Sequence, residues 1–156
     1  MKIRFIILGS LILFMLLYAC ASTEKKTALI KNIVTENPSW VNEKDNNGNS
    51  FLHIAVHEGN EELVKFLRSK GADVNIKNNY GETPLQIAAD KNNLEIITQL
   101  VSHDAEINIQ DSSGLTPLDD AIYQGQMETV KYLISKGAEI NIKDTTGKTP
   151  LHYAAI

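Results

Sequence analysis

Gly48, Gly81, Gly114 and Gly147 stand 33 residues apart, and the same step links Leu52, Leu85, Leu118 and Leu151. Ala55, Ala88, Ala121 and Ala154 keep that phase, as do Leu67, Leu100 and Leu133, and Asn75, Asn108 and Asn141. A fixed period of this length means stacked units, each too small to bury its own apolar face. Three full units span 45–77, 78–110 and 111–143, and a partial fourth covers 144–156.

Within a unit the residues dictate two short helices. In the second, Thr83 is placed to cap a helix whose first position is Pro84, where the missing amide proton costs nothing. Leu85, Ala88 and Ala89 follow at i, i+3 and i+4, an apolar face narrow enough for close approach of another helix. The chain turns near Asn92 and Asn93, and Leu94, Ile96, Ile97, Leu100 and Val101 predict a second amphipathic helix. Gly71 and Gly137 suit the left-handed position after that helix, where the second unit carries Asp104. Alternation such as Val74-Asn75-Ile76 then predicts a short extended arm leading to a glycine turn.

Thr83-Pro84-Leu85, Thr116-Pro117-Leu118 and Thr149-Pro150-Leu151-His152, with the Lys-Gly-Ala segments at 70–72 and 136–138, resemble ankyrin repeats. The resemblance runs from Asp45 to the end and implies an all-α repeat solenoid: stacked helix pairs, hairpin-like arms and a concave face. Residues 28–44 are in phase too, with Ile30 aligned to Leu63 and Val34 to Leu67, so they read as an N-terminal capping half-repeat made of a second helix alone. Trp40 in that segment is expected to pack on the first repeat, with a binding role as the other reading. The sequence stops midway through the first helix of the fourth unit. A longer array is expected, or else a frayed half-unit that leaves the third repeat partly uncovered.

At 43% hydrophobic and 22% charged the chain is too apolar to be disordered throughout and too short for a polytopic membrane protein. Some of that apolar content is local, since residues 5–23 carry no charge. Lys2 and Arg4 before this run form a secretory signal pattern over 1–19. Leu17-Tyr18-Ala19-Cys20 resembles a bacterial lipobox, in which the cysteine takes the lipid, although Tyr18 is bulkier than the residue usual there. The resemblance implies lipidation of Cys20, followed by a lipid-anchored polar tether over 20–27. An uncleaved anchor helix is the alternative, because the run nears the roughly 20 residues that span a bilayer. Both readings place the repeats outside the cytoplasm, on a bacterial cell membrane or outer membrane. Removing Lys2 and Arg4 with the leader leaves 13 basic against 19 acidic residues, a formal charge of −6. Nucleic acid is therefore not expected as a partner. A single cysteine excludes an intrachain disulfide and any zinc site built on several cysteines.

Chemistry finds little support. His53 and His57 at i, i+4, beside Glu58, are the one constellation suggesting a metal-dependent enzyme, but no third ligand is evident and no glutamate lies between them. The family pattern gives His53 a structural use, a hydrogen bond into a neighbouring turn, and Asp119 stands in its place in the third unit. Asp119 and Asp120 point about 100° apart on a helix and cannot act as a facing pair. His103 suits a helix C-terminus. No cofactor is expected.

What remains is a surface. The resemblance implies partner contacts at the arm tips and on the first helices, which here are Asn47 and Asn49, Tyr80 and Glu82, Ser113 and Leu115, then His57 and Glu58, Asp90 and Lys91, and Tyr123 and Gln124. Tyr80, Leu115 and Tyr123 stand out, because aromatic and apolar side chains on an accessible face suit an interface; isolated exposed apolar residues are also ordinary. The sequence thus points to a non-enzymatic, membrane-tethered module that binds a protein of unnamed identity. An inhibitor or protective chaperone of one secreted enzyme is the alternative.

Overall fold

The structure, a computed structural model, describes residues 22–154. The signal peptide expected over 1–19 and Cys20 lie outside the described residues, as do residues 155–156. The order is α1 (Thr23–Glu36), a 3₁₀ turn (Pro38–Trp40), α2 (Phe51–His57), α3 (Glu61–Ser69), α4 (Pro84–Asp90), α5 (Leu94–Val101), α6 (Pro117–Tyr123), α7 (Met127–Ser135) and α8 (Pro150–Ala154). Each unit is a helix pair, α2 with α3, α4 with α5 and α6 with α7, while the first helices α2, α4, α6 and α8 stack in sequence. Among the described residues no helix is long and apolar enough to cross a membrane.

Capping and packing follow the residues. Asn60 and Asn93 cap α3 and α5 through their side chains, accepting from Leu63 N and Ile96 N. The small first-helix residues Ala55, Ala88 and Ala121 are fully buried, as are Leu67, Leu100 and Leu133 on the second helices. Asp104, in the place of Gly71 and Gly137, takes the left-handed conformation with φ of 64°. Burial weakens toward the C-terminal end, where Leu151, in phase with the buried Leu118, is 76% exposed. No second helix of the fourth unit lies within the described residues to cover it.

The arms differ from the extended segments expected. Apart from one isolated bridge, Lys44 with Ser50, the described residues of the arms alternate turns with unpaired stretches and hold no strand. The polar positions of the alternation bond to the next repeat instead of pairing across a hairpin. Asn42, Asn75 and Asn108 each accept through Oδ1 from the backbone of the following unit, at Asp73, Glu106 and Glu139. At the tips, Asn79, Ser112 and Thr145 donate backbone N–H groups to the carbonyls of Asn47, Tyr80 and Ser113, each at 3.0 Å. These tip-to-tip bonds explain why the turn carries glycine. A Cβ on Gly81 would lie 2.6 Å from Ser112 N, and φ there is already +77°.

The start of the fold also differs. Ser22 caps α1, which begins at Thr23, so the polar tether expected over 20–27 is helical from Thr23 onward. Residues 28–44 hold the rest of α1 and the 3₁₀ turn, and the helix reaches one turn further toward the N-terminus than the segment read from the sequence. That turn docks through polar groups: Lys26 Nζ meets Glu58 Oε1 at 2.7 Å and Asn60 Nδ2 donates to Thr27 Oγ1 at 2.6 Å. Trp40 is half-buried against the core, the packing use expected of it.

The tip geometry separates two glycines. Gly81→Ala is expected to cost about 2 kcal/mol or more, from left-handed strain plus the clash with Ser112. Gly125→Ala, with φ of +68° but nothing within 4 Å, is expected to cost about 1 kcal/mol. Urea melts of both variants check the difference.

Candidate functional site

The third position of each first helix must satisfy two backbones. In the first repeat His53 is buried; Ser50 N–H donates to its Nδ1 at 3.1 Å, and its Nε2–H donates to Glu82 O at 3.1 Å. Both nitrogens are engaged, so His53 is not free to ligate a metal with His57. Among the described residues no group of His, Cys, Asp and Glu could hold one. Burial holds the His53 pKa below its ordinary value, which favours this neutral tautomer. In the second repeat Gln86 does the same work, accepting from Thr83 N at 3.0 Å and donating to Leu115 O at 2.9 Å. In the third, Asp119 Oδ2 accepts from Thr116 N and Oγ1 at 2.8 and 2.7 Å. A carboxylate has no proton for the next turn, so this joint lacks the inter-repeat bond that the other two have.

Between the first helices and the arm turns run two hollows that share Asp90. The larger, about 550 Å³, is lined by Asn49, His57, Glu58, Tyr80, Glu82, Asp90 and Lys91 among others. The smaller, about 290 Å³, is lined by Asp90, Leu115, Asp119, Asp120, Tyr123, Gln124 and Tyr153. Most residues expected to meet a partner are therefore brought together. Asn47 and Ser113 line neither hollow; they stand at the arm tips with their carbonyls used in the tip-to-tip bonds. Tyr80 and Tyr123 are 63% and 71% exposed, whereas Leu115 is half-buried with its carbonyl taken by Gln86.

The charges along this face are unevenly compensated. Lys26 pairs with Glu58, and Lys91 with Asp90 at 3.2 Å, while Gln124 Nε2 also donates to Asp90 at 2.8 Å. Asp120 takes no hydrogen bond to its side chain from the described residues. Burial, reinforced by the carboxylates of Asp111, Asp90, Asp119 and Glu82, pushes its pKa up to about 8. Asp120, Tyr153 and Lys26 were missed as groove residues in the sequence. Asp120 looked like half of an unusable pair, and Tyr153 and Lys26 lie in segments expected to fray or to be unstructured.

The raised carboxyl has a consequence for stability. Between its ordinary value of 3.8 and about 8 the folded chain holds a proton that the unfolded chain has released. Stability from this group therefore falls as pH rises through that window. Asp120→Asn is expected to raise the melting temperature at about pH 8.5 and to change it little at about pH 4. Thermal melts of both proteins at the two pH values test this, and equal shifts at both would contradict it.

The family model of ankyrin repeats matches the chain in three copies, at residues 16–111, 76–144 and 105–156. Similar curated proteins are the NAD-capped RNA hydrolase NUDT12 of Homo sapiens, Pongo abelii and Macaca fascicularis, each 37% identical over 56 residues. That match covers 36% of this chain and spans 12% of the length of those relatives. The period, the helix pairs and the family match agree, and the chain belongs to the ankyrin repeat family, whose repeats are protein-interaction modules.

Proposed function

We propose that this chain is a non-enzymatic binding module that holds a protein partner in the groove between its first helices and arms. The observation that carries the reading is the succession of two hollows that meet at Asp90 and together draw on three repeats, with the exposed Tyr80 in one and Tyr123 in the other. Large aromatic side chains on a preformed surface suit an interface, because they bury much area and lose little entropy on association. The histidine pair supports no metal chemistry, since His53 is consumed by the joint between repeats. The hydrolase activity named for the relatives is not carried over from a match to 12% of their length. The acidic composition argues against nucleic acid as the partner.

The tethering part of the proposal rests on sequence. Lys2 and Arg4, the uncharged run that follows and Cys20 support export and lipid attachment at Cys20, with the repeats facing away from the cytoplasm of a bacterium. Two or three acyl chains suffice for stable anchoring, where one is marginal. The tether between membrane and repeats is short, because helix α1 begins at Thr23.

Two measurements test these parts separately. Affinity capture from detergent-solubilised membranes is expected to recover a protein with the native chain and to lose it with the Tyr80→Ala, Tyr123→Ala double variant. Equal recovery by both would sink the groove reading. Metabolic labelling with palmitate is expected to mark the native chain and leave Cys20→Ser unlabelled; label on the variant, or none on either, would end the lipoprotein reading.

A further inference from the structure

The smaller hollow has a composition unlike the rest of the groove. Its walls are the rings of Tyr123 and Tyr153, edge to face with centroids 6.5 Å apart, together with Leu115. Tyr153 is fixed in place by its hydroxyl, which donates to the Asp144 carboxylate. The acidic side of the hollow is Asp119 and Asp120. Asp119 is only 3% exposed and uses Oδ2 for the cap of α6. Its Oδ1, at the place where His53 and Gln86 carry the donor for the next turn, takes no hydrogen bond from the described residues. Here, then, an almost fully buried residue keeps one carboxylate oxygen open to the hollow without a protein donor, beside a second carboxylate that also lacks one.

A carboxylate oxygen open to such a hollow offers a site for a donor, preferably a charged one, because a charge-assisted hydrogen bond is stronger there than in bulk water. The groove's own cations do not serve. Lys26 is committed to Glu58 and Lys91 to Asp90. Aromatic walls beside carboxylates favour an organic cation, since the ring faces attract positive charge while the carboxylates accept its N–H groups. The chain already shows such a ring at work, with Lys148 Nζ 5.5 Å from the centre of Tyr153. A metal ion is the poorer fit, because the two carboxylates diverge along the helix and no third ligand converges with them among the described residues.

We propose that the hollow formed by Leu115, Asp119, Asp120, Tyr123 and Tyr153 receives a cationic side chain, lysine or arginine, from a basic segment of the protein that this groove binds. The proposal rests on the groove being a protein-binding face and adds the chemistry of the partner. Charge complementarity selects that occupant. Around Asp120 stand Asp90 from α4, Glu82 and Asp111 from the arm turns, Asp119 and Tyr123 from α6 and Tyr153 from α8, with Lys148 on the Tyr153 ring as the nearby cation. A cation in the hollow would draw the proton off Asp120, so binding should tighten with rising pH.

The test uses the full chain in a non-ionic detergent and fluorescein-labelled deca-lysine and deca-arginine, read by fluorescence anisotropy, with fully acetylated deca-lysine as the uncharged probe. At least one cationic peptide is expected to bind, more tightly at about pH 9 than at about pH 6, and the acetylated peptide is not. Asp120→Asn and Tyr123→Leu should each weaken binding about tenfold or more, while Glu128→Gln, which removes an exposed charge from α7 of the same repeat, should leave it unchanged. Equal loss with Glu128→Gln and Asp120→Asn would reduce the effect to net charge and overturn the proposal, as would absence of binding. Self-association of the chain that Asp120→Asn abolishes would overturn it in favour of a second copy as occupant. The two failures are distinguishable: a native partner captured through Tyr80 and Tyr123 without peptide binding removes only the cation, whereas peptide binding without any captured partner removes the groove reading and with it the assignment of the cation to a protein partner.

Discussion

Helices of seven to nine residues, as α2 to α7 are, do not hold together alone in water, so each survives only by burying a face against the next unit. Everything else in the structure accommodates that dependence. Alanine recurs at positions 55, 88 and 121 because a larger side chain would push neighbouring first helices apart. Glycine recurs at 48, 81 and 114 because the tips of adjacent arms meet backbone to backbone there. The side chain at the third position of α2 and of α4 is polar because it serves two backbones, its own cap and the next turn, at a buried site. Local choices and the global stack agree at these positions, which is what lets a chain this short specify one arrangement.

That same third position is where the repeats stop being equivalent. Histidine and glutamine each offer an acceptor at one end and a donor at the other, and both are used. Aspartate offers acceptors only, so the third joint keeps its cap and forgoes the bond across to the fourth unit. At this position the contact of α6 with α8 has one hydrogen bond fewer than that of α2 with α4. The acidic hollow opens beside the missing bond. A partner group that supplied the missing donor would complete the joint and occupy the groove at once.

Much of this was legible in the sequence because it is periodic. The helix pairs, their Thr-Pro starts and the left-handed stop at Asp104 follow from residue types read in phase, whereas Asp119, which takes the place of His53, keeps only the cap and not the bond into the next turn. Two things escaped, for different reasons. The helical turn at Thr23 to Thr27 docks through an ion pair and an amide hydrogen bond, and apolar periodicity is blind to contacts of that kind. In the sequence Asp120 is one of two carboxylates that diverge on a helix, which says nothing of what α4, α8 and the arm turns bring near it. Extended strands in the arms were expected from alternation, which the asparagines use to reach the next repeat.

The two lysines of the groove make the remaining point. Each is adjacent to a carboxylate that binds it, Lys26 to Glu58 across the α1 contact and Lys91 to Asp90 within its own turn. Neutralised inside the structure, these pairs contribute shape and little net field. Asp120 and the open oxygen of Asp119 have no such neighbour, and burial with the carboxylates of Asp111, Asp90 and Glu82 pushes the Asp120 pKa up to about 8. Within the groove the lysines are paired, and the carboxyl groups that have no cationic partner stand beside two tyrosine rings. Recognition here would then depend less on the area of the groove, which every repeat supplies, than on whether a partner can deliver positive charge to the third repeat.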